Sequence, residues 1–217
     1  MFSRLHVLFR MRFFISLCND TFKRMKSYSI IKAGESELNQ VHDMAEVVFR
    51  HTYRDILSPG QMEYMMDWMY SLTNLRRQLD EGHVYHIAYD DGLPCGYVSV
   101  QADGIGDDGV PVYHLQKIYV LPSEQGNGLG RLLFDAALDF VCLQTDRFPA
   151  RIELNVNRNN PAVDFYKHLG MRVMRQGDFH IGNGFYMNDY IMGLDIKDPF
   201  DRLRAGLRLQ YESSRNE

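Results

Sequence analysis

The chain has 217 residues and a mass of 25.3 kDa, which fits one domain with short extensions and excludes a long repeat array. Hydrophobic residues make up 45% and charged residues 24%, so the composition predicts a packed core and excludes global disorder. The net charge is −4, but the first 26 residues carry +5, which leaves −9 for the remainder. That balance argues against nucleic acid as the main partner, because such binding requires a basic face, and it is compatible with a cationic small molecule or peptide as substrate.

Three cysteines, Cys18, Cys95 and Cys142, are widely separated and form no C-x-x-C motif. This spacing predicts neither a disulfide framework nor a zinc site, and we expect no bound metal. An odd number of isolated cysteines is typical of a protein in a reducing, cytoplasmic setting.

The N-terminal segment is basic and apolar. Residues 5–17 are interrupted by Arg10 and Arg12, form too short a stretch to span a bilayer, and lack the cleavage site of a signal peptide. We interpret residues 1–25 as an extension outside the fold, with translation starting near Met25. A membrane-surface anchor is the alternative.

The apolar pattern predicts alternating strands and helices from residue 28 onwards. Val41, Met44 and Val48 follow the period of a half-buried helix, and Ser58 followed by Pro59 is typical of a helix start. The predicted strands cover residues 28–33, 84–89, 95–100, 112–120, 152–156, 171–175 and 186–194. The predicted helices cover residues 38–49, 58–68, 72–81, 130–146 and 161–169. This order predicts a mixed α/β layer architecture.

The predicted domain covers residues 26–197 and is followed by a tail, residues 198–217. In that tail Leu203, Leu207 and Tyr211 have helical spacing. Docking of the tail on the domain, docking on a second subunit in a homodimer, and a frayed tail are the open alternatives.

A glycine-rich loop is the most informative segment. Gly126, Gly128 and Gly130 join the strand at residues 112–120 to the next helix. Because glycines allow close backbone approach and free N–H groups at a helix start bind anions, we expect this loop to hold a phosphate or pyrophosphate. The spacing excludes a Walker loop and the G-x-G-x-x-G dinucleotide fingerprint. Spacing alone leaves a structural loop without a ligand as an alternative.

Two motifs lie on consecutive elements around this loop. Residues 125–130 read Gln-Gly-Asn-Gly-Leu-Gly, and residues 159–171 fit Asn-x-x-Ala-x-x-x-Tyr-x-x-x-Gly-Phe with Met171 in place of Phe. Both resemble motifs of the GNAT superfamily of acyl-CoA-dependent N-acetyltransferases, and the resemblance covers residues 28–196. It looks nearest to the bacterial members related to polyamine acetyltransferases. It implies the GNAT-type α/β (α+β) fold, in which helices cover both faces of a mostly antiparallel sheet of six to seven strands. That sheet is splayed between its fourth and fifth strands.

The resemblance also implies acetyl-CoA as the cofactor and assigns roles to individual residues. Backbone groups of Ile118 and Val120 would pair with the acetyl and pantetheine portions, and Asn159 would contact the pantetheine arm. Tyr166 would act as the general acid that protonates the leaving thiolate. The implied cofactor site comprises Ile118, Tyr119, Val120, Gln125, Gly126, Asn127, Gly128, Leu129, Gly130, Arg131, Asn159 and Tyr166.

A base must also take the proton of the acceptor amine, because an alkyl ammonium has a pKa of about 10. Glu153 is the predicted base, and the imidazole of His114 is the alternative. His114, Gln116 and Asn155 lie on the two strands that flank the cleft and are also candidates for contact with the substrate. The resemblance places the acceptor pocket against the early helices and the last hairpin. Aromatic and acidic candidates for that pocket are Tyr53, Trp68, Tyr186, Asp189 and Tyr190.

The predicted reaction moves an acetyl group from acetyl-CoA to a primary amine, a polyamine or another small amine, by direct attack. The N-terminus or a lysine of a protein or peptide is the alternative acceptor. A non-catalytic acyl-CoA sensor is an alternative of another class, against which Tyr166 counts. A toxin that acts on aminoacyl-tRNA would need a basic surface, and the charge of −9 argues against that alternative. A groove open along the fourth and fifth strands would favour a peptide, and a pocket closed by the last hairpin would favour a small amine.

Overall fold

The computed structural model describes residues 26–197, so the predicted extension 1–25 and the tail 198–217 lie outside the described residues. Its strands are β1 (Tyr28–Ala33), β2 (Val84–Asp90), β3 (Leu93–Ile105), β4 (Pro111–Val120), β5 (Ala150–Asn157), β6 (Arg172–Gly182) and β7 (Phe185–Ile196). Its α-helices are α1 (Leu38–Tyr53), α2 (Pro59–Tyr70), α3 (Leu72–Asp80), α4 (Leu129–Gln144) and α5 (Ala162–His168). Every strand and helix that the sequence predicts is present.

The strands form one seven-stranded sheet in the order β1-β2-β3-β4-β5-β7-β6. Neighbouring strands are antiparallel except β4 and β5, which run parallel. The parallel pair is joined only from Val112 to His114 on β4, although β4 continues to Val120 and β5 to Asn157. The sheet therefore opens between β4 and β5 toward their C-terminal ends, and the predicted splayed mixed sheet is confirmed.

A β-bulge in β4 sets which side chains face each side of the sheet. Ser99 pairs with Lys117 and Val100 with Leu115, so Gln116 is an extra residue on β4. The extra residue reverses the alternation of side chains between the two faces of the sheet. Ile118 therefore packs on the same face as Leu115, and Tyr119 packs on the opposite face.

Two hydrophobic cores lie on opposite faces of the sheet. Beneath α4 and α5, Leu133, Phe134 and Ile152 are buried in the first core. Beneath α1, α2 and α3, Phe49 and Tyr97 are buried in the second. Helices therefore cover both faces, as predicted. Within residues 26–197, no helix combines the length and the apolar character needed to span a bilayer.

Two strand boundaries differ from the prediction. β3 continues to Ile105 rather than ending at Val100, and β6 continues to Gly182 rather than ending at Arg175. β6 pairs with β7 over a tight turn in which Asn183 and Gly184 both have positive φ, 51° and 76°. The polar composition of β6 conceals this strand, because an edge strand faces water on one side and needs no apolar alternation there.

Candidate active site

A cleft of about 930 Å³ lies where β4 and β5 separate. Its walls come from β4, the glycine loop, the first turn of α4, the end of β5, the loop before α5, and the C-terminal end of α1. The predicted site residues that line it are Tyr53, Gln116, Ile118, Tyr119, Val120, Gln125, Gly126, Gly128, Leu129, Gly130, Arg131, Asn155, Asn159 and Tyr166. The predicted residues outside its walls are Trp68, His114, Asn127, Glu153, Tyr186, Asp189 and Tyr190.

The glycine loop presents open backbone to this cleft. Gly126 and Gly128 have φ of +77° and +81°, and a Cβ atom at either position would meet nothing within 4 Å. Gly128 is the N-cap of α4, and no side chain of the described residues caps the helix there. The first N–H groups of a helix have no intrahelical partner, so this end of α4 offers free donors to an anion. The donor set fits the pyrophosphate of a coenzyme A.

Short polar contacts hold the loop between β5 and α5. Asn157 accepts a hydrogen bond from the N–H of Asn159 at 3.0 Å, and Asn160 accepts one from the N–H of Ala162 at 2.9 Å. These Asx turns position Asn159 at the cleft wall.

Tyr166 lies on α5 and is 8% exposed. Burial is the main cause of a raised pKa for its hydroxyl, and the nearby Tyr53 raises that pKa further. The phenol is therefore protonated at neutral pH, as a proton donor must be.

Glu153 and His114 face each other where β4 and β5 are still paired. Glu153 is 4% exposed, and its carboxylate accepts hydrogen bonds from Arg175 at 2.9 and 3.4 Å. Burial lowers the pKa of His114, and Asp103 lies 4.0 Å from its Nδ1. The predicted base is thus occupied by an ion pair and lies outside the cleft walls.

Asn155 follows on β5, is exposed in the cleft, and donates its amide to Asp189 Oδ2 at 3.4 Å. Asp189 is 3% exposed, and its Oδ1 has no hydrogen-bond partner among the described residues. Burial raises the pKa of Asp189 to about 6. Its neighbour Tyr190 packs on the opposite face, against the core beneath α4 and α5.

Similarity to known proteins agrees with this arrangement. The sequence profile of the acetyltransferase (GNAT) family matches residues 47–171, more than half of the chain. The chain belongs to this family. The predicted enzyme class, an acyl-CoA-dependent N-acetyltransferase, and acetyl-CoA as its cosubstrate are confirmed at the level of the family.

Solved structures with the same fold include three enzymes at low identity. A PaiA N-acetyltransferase from Thermoplasma acidophilum, in complex with coenzyme A, is 20% identical with a TM-score of 0.62, over 78% of this chain and 99% of that chain. The ribosomal-protein-S18-alanine N-acetyltransferase from Escherichia coli is 18% identical with a TM-score of 0.58, over 79% and 96%. Arabidopsis thaliana Naa50, in complex with the bisubstrate analogue CoA-Ac-MVNAL, is 18% identical with a TM-score of 0.54, over 78% and 99%.

The acetyltransferase also has a buried lysine at the cleft that the sequence reasoning missed. Lys117 is 5% exposed and donates to Gln78 Oε1 at 2.7 Å. Its ammonium lies 5.8 and 5.5 Å from the ring centroids of Tyr70 and Tyr85. Burial lowers the pKa of Lys117 to about 7. A lysine in a strand is usually solvent-facing, so no sequence signal indicates this burial.

The β6–β7 hairpin of the acetyltransferase is tied to α2. Tyr64 donates its hydroxyl to the Ile181 carbonyl at 2.7 Å, and Gln61 donates its amide to the Tyr186 carbonyl at 2.8 Å. Trp68 stacks on Tyr64 at 6.2 Å between ring centroids and is 41% exposed. Trp68 and Tyr186 therefore belong to this bridge between α2 and the hairpin, outside the cleft wall itself.

Proposed function

We propose that this GNAT acetyltransferase transfers the acetyl group of acetyl-CoA to the primary amine of a small cationic molecule, with a polyamine as the first candidate. The observation that carries the proposal is the closure of the last hairpin onto α2 through the Tyr64–Ile181 and Gln61–Tyr186 hydrogen bonds. This bridge lies outside the cleft wall, and we expect it to limit the acceptor to a short molecule because it ties the hairpin to α2. The net charge of −9 outside the first 26 residues supports a cationic acceptor.

The β4 edge and the glycine loop would hold the donor. Within the described residues, β5 gives β4 no pairing partner after His114. Backbone groups of Ile118 and Val120 would pair there with the acyl and pantetheine portions. The N–H groups from Gly126 to Gly130 would bind the pyrophosphate, whereas the N–H of Arg131 donates to the Gly128 carbonyl at 3.0 Å. When bound, acetyl-CoA supplies an acyl carbon activated as a thioester.

Tyr166 would serve as the general acid. Its hydroxyl is buried in the cleft wall, and the raised pKa keeps the proton on Oη until a thiolate leaves. The N–H of Ile118 would donate to the oxyanion that forms on the acyl oxygen. Oxyanion stabilisation and thiolate protonation would then have separate groups, and the proton that the amine loses on attack would pass to water in the cleft.

A cytoplasmic location belongs to the same proposal. Cys95 is a buried free thiol that donates to the Ala88 carbonyl at 3.3 Å. Burial raises the pKa of that thiol to about 11, so it is unreactive and suits a reducing compartment.

The first test compares the shift in melting temperature with acetyl-CoA, coenzyme A, NAD and ATP, followed by thiol release with polyamines and with short peptides. Concentration-dependent stabilisation by the two coenzyme A species and thiol release with polyamines are the expected results. Thiol release with peptides alone would show that the acceptor is the N-terminus or a lysine of a protein or peptide and not a polyamine. Binding without release for any acceptor would favour the sensor, and no binding would overturn the donor assignment.

A further inference from the structure

Asp189 is a buried carboxylate without a direct counter-ion. It lies on β7 opposite Asn157 of β5 and Gly177 of β6. No ion pair found in residues 26–197 includes it, since Arg158, the cation that influences its pKa, is paired with Asp178. With Oδ1 unpartnered, this carboxylate costs stability where it stands. A side chain that costs stability beside a cleft is a candidate for a role in that cleft.

Asn155 connects this carboxylate to the cleft. Its side chain is exposed in the cleft wall on the β5 side, and Nδ2 donates to Asp189 Oδ2. An ionised carboxylate only accepts hydrogen bonds, so the amide must turn its NH₂ group toward Asp189. Asn155 Oδ1 is thereby left as an acceptor for a group that enters the cleft.

We infer that Asn155 and Asp189 form the subsite for the acceptor amine, with Asn155 Oδ1 accepting a hydrogen bond from the amine and Asp189 fixing that amide and attracting the cationic form. Asp189 is a positioning residue because it acts through Asn155. The inference rests on the proposed function, since it names the group that recognises a cationic acceptor. It also gives the negative charge of Asp189 a partner that the described residues do not supply.

The groups next to Asp189 keep their charge over the pH range in which Asp189 titrates. Asn155 and Asn157 on β5 do not titrate, and Gly177 on β6 has no side chain. Arg158 stays charged, and burial raises the pKa of Tyr53 on α1, which senses the charge of Asp189. Neither group changes charge between about pH 5 and 8. A polyamine also stays cationic there, but Lys117 in the cleft wall has a pKa of about 7 and changes charge in the same range. The part of the pH effect that Asp189→Asn removes therefore reports Asp189.

The test measures binding of spermidine to the complex of the enzyme with coenzyme A by calorimetry from pH 5 to pH 8. In the wild type, affinity should fall as the pH drops through about 6, because protonation removes the charge of Asp189. Asp189→Asn should bind spermidine at least about tenfold more weakly at pH 8, with a smaller fall in affinity from pH 8 to pH 5 than the wild type shows and with unchanged coenzyme A affinity. Asp164→Asn, the same charge change at an exposed position on α5, should behave as the wild type.

A second variant keeps the test decisive if Asp189→Asn fails to fold. Asn155→Ala changes an exposed side chain and should also weaken spermidine binding about tenfold. Where Asp189→Asn does fold, the double variant should lose little more affinity than either single variant. Normal spermidine affinity and an unchanged pH profile in Asn155→Ala would overturn the inference while leaving the proposed function intact. A wild type that binds coenzyme A but acetylates only peptides would instead overturn the proposed acceptor.

Discussion

Burial shifts the pKa of three side chains around the cleft. It raises the pKa of Tyr166 and of Asp189 and lowers that of Lys117, so each is shifted toward its neutral form. The causes are local, because each side chain is at most 8% exposed. The match to the family motif indicated Tyr166, which its helical spacing alone would have left as a buried aromatic residue. Lys117 and the unpartnered state of Asp189 gave no such signal, because burial depends on what packs against a strand.

Replacement of Tyr166 by Phe should lower kcat about 10- to 100-fold and leave the acetyl-CoA affinity within about twofold, because the ring remains and only the proton donor is lost. Steady-state kinetics and calorimetry separate these effects. Tyr113→Phe is the matched control: Tyr113 is also 8% exposed but lies outside the cleft walls. Full turnover in Tyr166→Phe would remove this hydroxyl as the acid.

Replacement of Lys117 by Met should change how stability depends on pH. The folded pKa of about 7 lies below the ordinary 10.5, so between these values the unfolded state holds a proton that the folded state has released. Wild-type stability should therefore rise with pH in that window, by at most about 1.4 kcal/mol per pH unit, and should be lowest where Lys117 is charged.

Urea unfolding from about pH 7 to 9.5 measures that slope. Lys117→Met should lack it, whereas Lys167→Met, at an exposed lysine on α5, should retain it. Equal slopes in all three proteins would show that Lys117 is solvated in the fold.

At the scale of elements, local residue types determine the glycine loop, whereas long-range strand pairing determines how far β3 and β6 extend. The glycine loop was predictable, because positive φ at Gly126 and Gly128 needs glycine and the residue types show it directly. The far ends of β3 and β6 were not, because their extension depends on pairing with strands elsewhere in the chain. The same holds for the bulge at Gln116, which aims Ile118 and Val120 away from Lys117.

Replacement of Gly128 by Glu should abolish stabilisation by coenzyme A, because it places a negative side chain in the open space of the pyrophosphate loop. Gly109→Glu is a control of the same charge and similar backbone strain, since Gly109 has φ of +78° against +81° for Gly128 and lies outside the cleft walls. A thermal-shift titration should show binding to Gly109→Glu and none to Gly128→Glu. Unchanged affinity in Gly128→Glu would move the donor site elsewhere.

At the scale of the whole molecule, the described residues bury two cores of their own, one on each face of the sheet. The start of this region is anchored, because Lys26 and Tyr28 both donate to Glu124 at the entrance to the glycine loop. We propose that residues 26–197 form the folded domain, with residues 1–25 and 198–217 as extensions.

A chain that starts at Met25 should melt within about 2 °C of the full-length protein, because its cores and the Lys26–Glu124 contact are retained. Scanning calorimetry on both proteins checks this. A chain that starts at Ser29 loses Lys26 and Tyr28 and should melt lower. A drop of more than about 5 °C for the Met25 start would show that residues 1–24 contribute to the fold.

The sequence by itself determined the order of strands and helices, the glycine loop at the start of α4, and the place of Tyr166 on α5. Each depends on residues close together in the chain, where periodicity and turn chemistry are decisive. Only the tertiary structure decided the Asn155–Asp189 pair, 34 residues apart, the Lys117–Gln78 contact, 39 apart, and the Tyr64–Ile181 bridge, 117 apart. Such contacts follow from strand pairing and helix packing, which bring distant residues together and which no local pattern encodes.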